Sequence, residues 1–403
     1  MRAARGAALC VAAVAVAHTA RAAADRLVLL DGSAIQDTVK AIDAKGLVHR
    51  ASGKPPLDLQ ALRRIERPAK PSPAKPAPCE VHLVAGGSIQ AADVAFQKET
   101  FTVRWAYGKA LALPLAAVRG LRLGSLPGAK PGAAPPAFDA SLRAQEVRRD
   151  ELFAIANGKV QVVRGGLQAI GAKQVAFYWN DAERQVGRAK VYGVVLAHRG
   201  PRPELAGQCL ARLADGSSLW VADARVDGGR LQGRVGGEVA VSLPWTAVRR
   251  LDVRSTRMAF LSDLEPVEAV EEALVTYPGP WRRDRNVVGG PLVVGGKEFE
   301  KGLGVHARCR LTYDLGGRYD AFAATIGVDA SASGRGDCVF VVSADGRELF
   351  RKRLRGTDRP AAVRLKLAKA KRLTLLVEWG EDLDLADRAN WCDARVLKQE
   401  DAK

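Results

Sequence analysis

A short stretch near the end of the chain combines an aromatic side chain with polar groups of the kinds that bind sugars. Asn390, Trp391, Asp393 and Arg395 stand within six positions of one another. A pyranose presents an apolar C–H face and a fringe of hydroxyls, and protein sites meet it with an aromatic platform and a few fixed polar groups. His306 could add a directed hydrogen bond, because its neutral ring carries one donor and one acceptor. These side chains are therefore the candidate ligand-binding residues, with a carbohydrate as the ligand class.

The same residues also have structural interpretations. Trp391 fits a core ring of the last strand, and His306 fits a histidine that bonds to backbone. Arg395 fits an ion pair with Asp393 or Asp314. If Trp391 and His306 bind sugar, we expect one face of the Trp391 ring to be open and His306 to lie close beside it.

Side chains suited to catalysis are few. The chain has five histidines and no HExxH, GxSxG or P-loop pattern. Asp382 and Asp384, near Glu381, could imitate a catalytic carboxylate pair, but a solvated acidic turn is the commoner meaning of such a segment. Asp329 and Asp337, together with Asp382, could instead serve a structural calcium. We expect no enzyme and leave calcium as an alternative.

Alternating apolar side chains predict the strands that must position these residues. The runs that fall on one face are Phe322, Ala324, Ile326 and Val328, then Val363, Leu365 and Leu367, and finally Leu373, Leu375, Val377 and Trp379. Asp345-Gly346, between two further apolar runs, is a strong hairpin signal. Roughly the last third of the chain therefore predicts one antiparallel β-sandwich.

Several motifs of this region, in consistent order, resemble one family. They are KGLGVHA (301–307), YDLGG (313–317), FAATIGVD (322–329), VFVVSADGRELF (339–350) and ANWCDARV (389–396). Their order is similar to that of the NPCBM family of carbohydrate-binding modules, which is related to the family-51 carbohydrate-binding modules. Trp281 and Asp284 upstream also fit the resemblance. It implies a jelly-roll-like sandwich over residues 257–403 and binding of a carbohydrate or glycan.

The chain before residue 257 carries a weak internal repeat of about 45 residues. Each copy begins with a strand and a polar turn; the turns are Asp31-Gly32-Ser33, Gly86-Gly87-Ser88, Asn157-Gly158-Lys159 and Asp215-Gly216-Ser217. We predict the first repeat at 25–67, the second at 79–124, and the third and fourth together at 139–256. The pattern resembles small Sm-like or SH3-like β-barrels, and a plain β-meander is the alternative. The whole chain is thus predicted to be all-β.

Three segments have compositions that do not build a core. Residues 1–24 combine basic side chains, a short apolar run and small residues, which is typical of a signal peptide, with an uncleaved anchor as the alternative. Residues 68–78 are a proline-rich linker, and 125–138 are a linker rich in Pro, Gly and Ala. No later run is apolar enough to span a bilayer. We therefore expect a protein exported to the periplasm, cell envelope or extracellular space, without a transmembrane segment after cleavage.

The net charge indicates which partners the protein could bind, and the cysteines indicate which disulfide bonds it could form. The formal charge is +18, and the charge without residues 1–24 is about +15, which favours anionic partners. The arginines are scattered, with no compact basic run interleaved with aromatics, so nucleic acid is not expected. Cys309, Cys338 and Cys392 lie in the predicted sandwich, where they are buried thiols or include one bridge.

Together these observations predict an exported, non-enzymatic protein that binds carbohydrate through its last third. The alternative is an envelope scaffold whose sandwich is structural and contacts a protein partner.

Overall fold

The computed structural model of the protein describes residues 24–68, 77–126, 128, 133–198, 205, 207–274, 279–381 and 383–398. Apart from one α-helix and several single turns of 3-10 helix, every element in these ranges is a β-strand, which confirms the all-β prediction. The predicted signal peptide, most of the linker 68–78 and Asp382 lie outside the described residues.

Strands β1 to β11 form the first two repeats. Repeat 1 contains β1 (Asp25–Leu29), β2 (Ala34–Asp37), β3 (Val39–Ile42), β4 (Leu47–Arg50), β5 (Leu57–Asp58) and β6 (Leu62–Glu66). Repeat 2 contains β7 (Cys79–Leu83), β8 (Gly87–Gln97), β9 (Thr100–Trp105), β10 (Leu111–Pro114) and β11 (Val118–Arg122).

Helix α1 (Pro136–Arg143) precedes the other two repeats. Repeat 3 contains β12 (Asp150–Ala156), β13 (Lys159–Ile170), β14 (Gln174–Trp179), β15 (Ala182–Gly187) and β16 (Val191–Val195). Repeat 4 contains β17 (Cys209–Leu213), β18 (Ser218–Asp227), β19 (Arg230–Val235), β20 (Val239–Pro244) and β21 (Val248–Val253).

All four repeats share one strand order. In repeats 2, 3 and 4 successive strands form an antiparallel meander, and in repeat 1 the consecutive strands β2 and β3 together take the place of the second strand. In all four repeats a single turn of 3-10 helix leads into the last strand. The last strand returns to pair with the first, as β6 does with β1, β11 with β7, β16 with β12, and β21 with β17. This return pairing makes each repeat a small, partly open barrel rather than a plain meander.

The repeats pair through their last strands in an order that the sequence did not suggest. We expected repeats 3 and 4 to pack as one unit, since no proline-rich linker separates them. Instead β11 pairs with β16, which joins repeats 2 and 3, and β6 pairs with β21, which joins repeats 1 and 4. These contacts place Leu121 opposite Val194 and Ile65 opposite Leu251, all fully buried. Strands β8 and β18 also pair, which joins repeats 2 and 4, and a single hydrophobic core runs through the four repeats.

Helix α1 covers the junction between repeats 2 and 3. Its Phe138 meets Phe153 and Tyr192 edge to face, with ring centroids 5.1 Å apart in both pairs. Gly193 on β16 lies directly beneath this ring, and a Cβ there would stand 2.4 Å from the Leu121 carbonyl oxygen. The close approach of strand and ring thus requires glycine at this position.

The last third folds into a sandwich of two antiparallel sheets. Its strands are β22 (Met258–Phe260), β23 (Glu268–Glu271), β24 (Arg282–Arg283), β25 (Leu292–Val294), β26 (Lys297–Phe299), β27 (Gly302–His306), β28 (Cys309–Asp314), β29 (Ala321–Val328), β30 (Asp337–Ala344), β31 (Arg347–Arg355), β32 (Ala361–Lys366), β33 (Arg372–Trp379) and β34 (Arg388–Leu397). One sheet has the order β24-β27-β34-β29-β32, with β22 also on β34, and the other has the order β23-β28-β33-β30-β31. Strands β25 and β26 form a separate hairpin. The predicted sandwich is thereby confirmed.

The predicted hairpin turn and the predicted buried cysteines are both present in the structure. Asp345 and Gly346, both at positive φ, form the two-residue turn between β30 and β31. The described cysteines, Cys79, Cys209, Cys309, Cys338 and Cys392, are all buried free thiols. The structure thus contains no bridge among the three cysteines of the sandwich, and the interpretation as small buried hydrophobes applies.

Candidate functional site

Trp391 lies in the core between the two sheets. Only 1% of its surface is exposed, and the rings of Phe340 and Phe322 contact it edge to face at centroid distances of 5.1 and 6.4 Å. The expectation of an open ring face is therefore wrong. The ring is buried because β34 runs between β27 and β29 at the centre of its sheet, where an inward residue is covered on every side.

Asn390, on the opposite face of β34, belongs to a buried polar network around Asp329. The Asp329 carboxylate accepts hydrogen bonds from Asn286 Nδ2 at 2.9 Å and Asn390 Nδ2 at 2.5 Å. It also accepts from the backbone N–H groups of Val293 and Ser331 at 3.1 and 2.9 Å. Four donors thus satisfy this buried carboxylate, and the network fastens the β25–β26 hairpin to the sheet.

Asp337, the other calcium candidate among the described residues, is also engaged by protein donors. Asp337 is ion-paired with Arg353 and accepts the backbone N–H of Glu381. In the described parts of the chain, no group of three or more His, Cys, Asp or Glu side chains is placed to hold a metal ion. Asp329 and Asp337 lie in separate hydrogen-bonded networks.

His306, at the end of β27, is 4% exposed. Burial lowers the pKa of its ring, while the nearby Asp384 carboxylate and hydrogen bonding to the backbone of Asp384 and Ala307 act against that shift. The burial of the ring agrees with the alternative that His306 is a structural histidine hydrogen-bonded to backbone. Asp384 in turn accepts the backbone N–H of Leu274 at 2.7 Å, so it joins two loops at this end of the sandwich.

Asp393 and Arg395 face repeat 1 instead of solvent. Asp393 forms a two-point ion pair with Arg63 of β6. Arg395 donates to the carbonyl oxygens of Leu30 and Asp31 at 2.9 and 2.8 Å. Burial lowers the pKa of Arg395 to about 10, and the like charge of Arg63 adds to that shift. These two predicted ligand residues therefore join the two halves of the chain.

Between the two halves lies a cleft of about 360 Å³, bounded by repeats 1 and 4 and by the sandwich. Arg250 of β21 reaches across it and donates to both carboxylate oxygens of Glu300, at 3.0 and 2.6 Å. Arg364 of β32 lies 3.3 Å from Asp31. We call this space the interdomain cleft.

A half-buried indole at the edge of the sandwich was not among the predicted ligand residues. Trp281 immediately precedes β24, and its backbone N–H donates to Glu271 Oε1 at 2.8 Å. The Arg283 guanidinium lies 5.2 Å from the centroid of the indole ring, and burial raises the pKa of Glu271. We call these three residues the Trp281 edge. The sequence signal for it was the turn at Gly279-Pro280, which brings an aromatic ring to the sandwich.

The Trp281 edge offers the groups that Trp391 and its neighbours were expected to offer. It combines an aromatic ring with a cation and a carboxylate beside it. Of the two other tryptophans in the sandwich, Trp391 is in the core and Trp379 is half-buried at the end of β33. The Nε1 of Trp379 is buried and has no acceptor among the described residues.

Residues 257–397 match the family model described as the NPCBM/NEW2 domain. The NPCBM match runs from the residue before β22 to the last residue of β34, and thus covers the whole sandwich. It confirms the resemblance seen in the sequence motifs.

Comparisons with individual proteins give partial similarities. A Renibacterium salmoninarum protein named "Putative endo-alpha-N-acetylgalactosaminidase" is 32% identical over 111 residues, which are 26% of this chain and 7% of that protein. The solved CBM51 module of Clostridium perfringens GH95 in complex with methyl-galactose is 27% identical, with a TM-score of 0.32, over 34% of this chain and 99% of that one. The tandem CBM51 modules of a family 98 glycoside hydrolase from Streptococcus pneumoniae are 16% identical, with a TM-score of 0.31, over 79% and 88% of the two chains.

The chain thus spans 7% of the length of the curated relative that it matches. The NPCBM match leaves the four repeats outside its range. No helix in the described ranges is both long and apolar enough to cross a membrane.

Proposed function

We propose that the protein is a non-catalytic carbohydrate-binding protein that acts outside the cytoplasm, in the periplasm, the cell envelope or the extracellular space. The match of the sandwich to the NPCBM family carries this proposal. The name of the Renibacterium salmoninarum relative adds support for a sugar as the ligand class. The signal-peptide pattern of residues 1–24 supports export.

Two contacts support a role without catalysis. Glu381 and Asp384 flank the acidic segment that could imitate a carboxylate pair. Glu381 is ion-paired with Arg353, and Asp384 accepts the backbone N–H of Leu274. Carboxylates engaged in this way hold neighbouring segments together.

The sugar is proposed to bind at the Trp281 edge. Direct contact through Trp391 or Asn390 would need them to be exposed, whereas both are fully buried. Trp281 is only half-buried, and the Arg283 guanidinium over its ring and the Glu271 carboxylate at its backbone N–H supply polar groups for the hydroxyls of a bound pyranose.

A glycan array followed by isothermal titration on the chain from residue 25 tests the proposal. Galactose-type, glucose-type and N-acetylhexosamine sugars should be compared at millimolar concentration, because isolated sugar modules bind single sugars weakly. Binding of at least one class supports the proposal. Failure of every class, with the protein folded, would make the sandwich a structural domain.

One observation favours a second function, that of an envelope scaffold. The Arg63–Asp393 and Arg250–Glu300 pairs join the sandwich to repeats 1 and 4, so a protein partner could contact both halves of the chain. Cross-linking in the native cell envelope tests this alternative. Recovery of one stoichiometric protein partner, unaffected by added free sugars, would favour the scaffold.

A further inference from the structure

The interdomain cleft is a cavity that neither half of the chain forms alone. Its walls come from β1 and β6 of repeat 1, β21 of repeat 4, and β26, β29, β32 and β34 of the sandwich. Its volume of about 360 Å³ lies near the lower end of the range for small-molecule sites, about 300–1,000 Å³. The cleft is thus large enough for a single sugar-sized ligand.

The lining of the cleft is strongly charged, with seven basic and five acidic side chains. Five basic side chains have an acidic partner within the cleft, because Arg26 and Arg64 share Glu66. The pairs are Arg26–Glu66, Arg64–Glu66, Arg63–Asp393, Arg250–Glu300 and Arg364–Asp31. Lys297 and Arg395 remain on the basic side and Glu298 on the acidic side, so the cleft has an excess of positive charge.

The remaining basic side chains are poorly compensated. Three N–H groups of Arg395 donate to neutral carbonyl oxygens, which satisfy its hydrogen bonds but do not neutralise its charge. Arg64, by contrast, already lies 3.3 Å from Glu66 and 3.5 Å from Asp252. A negatively charged ligand would compensate the charge of Arg395, because opposite charges attract more strongly where solvent is partly excluded.

Lys297 is placed to take part in such binding. It is exposed at the start of β26, and its ammonium lies 4.7 Å from the centroid of the Phe299 ring. Among the described residues, no carboxylate lies within ion-pair distance of it. Because its side chain is long and flexible, a lysine beside a basic cleft can move its ammonium group to pair with a ligand carboxylate.

The acidic side chains indicate which anion fits. Glu298, Glu300 and Asp31 would repel a small inorganic anion, which offers few protons to donate. A ligand with one carboxylate and several hydroxyls uses both kinds of group: its carboxylate meets the cations, and its hydroxyls donate to the acids. The Thr325 hydroxyl and the small side chain of Ala362 complete a wall with room for a ring.

We propose that the interdomain cleft binds a carboxylate-bearing sugar of the uronic acid type, with Lys297 as the cation that takes its carboxylate. This site is separate from the Trp281 edge, and it does not depend on sugar binding there. It would give the repeats a role in ligand binding, since repeats 1 and 4 supply eight of the twenty residues that line it.

Isothermal titration of glucuronate into the chain from residue 25 tests the site. The probes for comparison are glucose, which lacks the charge, and inorganic phosphate, which lacks the ring. Glucuronate should bind at least about tenfold more tightly than either, the size of effect expected for one charge-assisted hydrogen bond. Equal binding of glucose, equal binding of phosphate, or no binding of glucuronate at millimolar concentration would each overturn the proposal.

Substitutions of single residues show where on the protein glucuronate binds. Lys297→Gln should weaken glucuronate binding about tenfold, whereas Lys352→Gln, which removes the same charge from exposed β31, should leave it unchanged. Trp281→Ala should also leave glucuronate binding unchanged. If Lys297→Gln and Lys352→Gln bind glucuronate equally well, or if Trp281→Ala abolishes its binding, the cleft is not the site. Thermal melts of each variant confirm that it is folded.

Discussion

Arg63 of the first repeat and Asp393 of the last strand, 330 positions apart in the chain, form a two-point ion pair that joins the repeats to the sandwich. Their side chains are only 10% and 17% exposed, so solvent screens the pair weakly. The Arg63 guanidinium also lies 5.2 Å from the centroid of the Phe260 ring. One arginine of the repeats thus contacts two separate strands of the sandwich.

Arg63→Ala should therefore lower the free energy of unfolding by about 2–4 kcal/mol, between the values typical of exposed and of fully buried pairs. A double-mutant cycle with Asp393→Ala, followed by urea denaturation, should give a coupling of about 1–3 kcal/mol. The control is Arg308→Ala, which breaks a more exposed pair with Glu272 and should cost less than about 1 kcal/mol. A coupling near zero would mean that Arg63 stabilises the protein only through Phe260.

Trp391→Ala should destabilise the protein by about 3–5 kcal/mol, because it removes the largest ring of the sandwich core. Thermal melts should show a loss of many degrees. Trp281→Ala, at a half-buried position, should cost much less under the same conditions. A small loss for Trp391→Ala would contradict the placement of that ring between Phe322 and Phe340.

The pH dependence of stability should carry the signature of His306. Burial lowers its pKa below the ordinary value of 6.5, so between the folded and the unfolded pKa the unfolded chain binds more protons. The free energy of unfolding should therefore decrease as the pH falls through about 6.5. His306→Gln removes this titration, and its stability should fall less between pH 7 and pH 5.

Urea denaturation at several pH values measures this slope. His82, whose pKa is also lowered by burial, should keep part of the slope in His306→Gln. His49→Gln, at a half-buried position on β4 where the ring bonds Asp43, should retain the steeper slope of the unmodified protein because His306 still titrates. Identical slopes for His306→Gln and the unmodified protein would contradict the buried, neutral ring.

The cysteines should be inert in the folded protein. Burial raises the pKa of Cys209 to about 12 and also raises that of Cys79. Because the thiolate is the reactive form, a thiol reagent at pH 8 should label the native chain from residue 25 very slowly and label five thiols after unfolding. Fewer than five thiols in the unfolded, unreduced protein would mean that a disulfide is present.

The sequence indicated the sandwich because its strands alternate clearly and its turns use residues with strong preferences. Asp345-Gly346 is the simplest case, since the two-residue turn it predicts needs positive φ at both positions. The recurring turns indicated the repeats but left a barrel and a meander open, and the pairing of repeat 1 with 4 and of repeat 2 with 3 left no local signal. The boundaries drawn between domains stay predictions.

The candidate site was harder to place because β34 is buried on both faces. Trp391 faces the core, Asn390 faces the β25–β26 hairpin, and Arg395 faces repeat 1. In such a strand the alternation of side chains no longer separates core from solvent. Residue type alone therefore cannot distinguish an exposed aromatic ring that stacks on a sugar from an aromatic ring buried in the core. The contact between Arg63 and Asp393 depends on packing between distant segments, for which a single sequence carries no pattern.

The central claim is that the sandwich binds sugar at the Trp281 edge, and calorimetry on a pair of tryptophan variants tests it most directly. Trp179 in repeat 3 is also half-buried, with the Arg184 guanidinium 5.2 Å from its ring centroid, the same distance as between Arg283 and Trp281. For the neutral sugar that binds the chain from residue 25 best, Trp281→Ala should abolish the binding heat, and Trp179→Ala should keep the unmodified affinity. Unmodified affinity in Trp281→Ala, with the protein folded, would contradict the account.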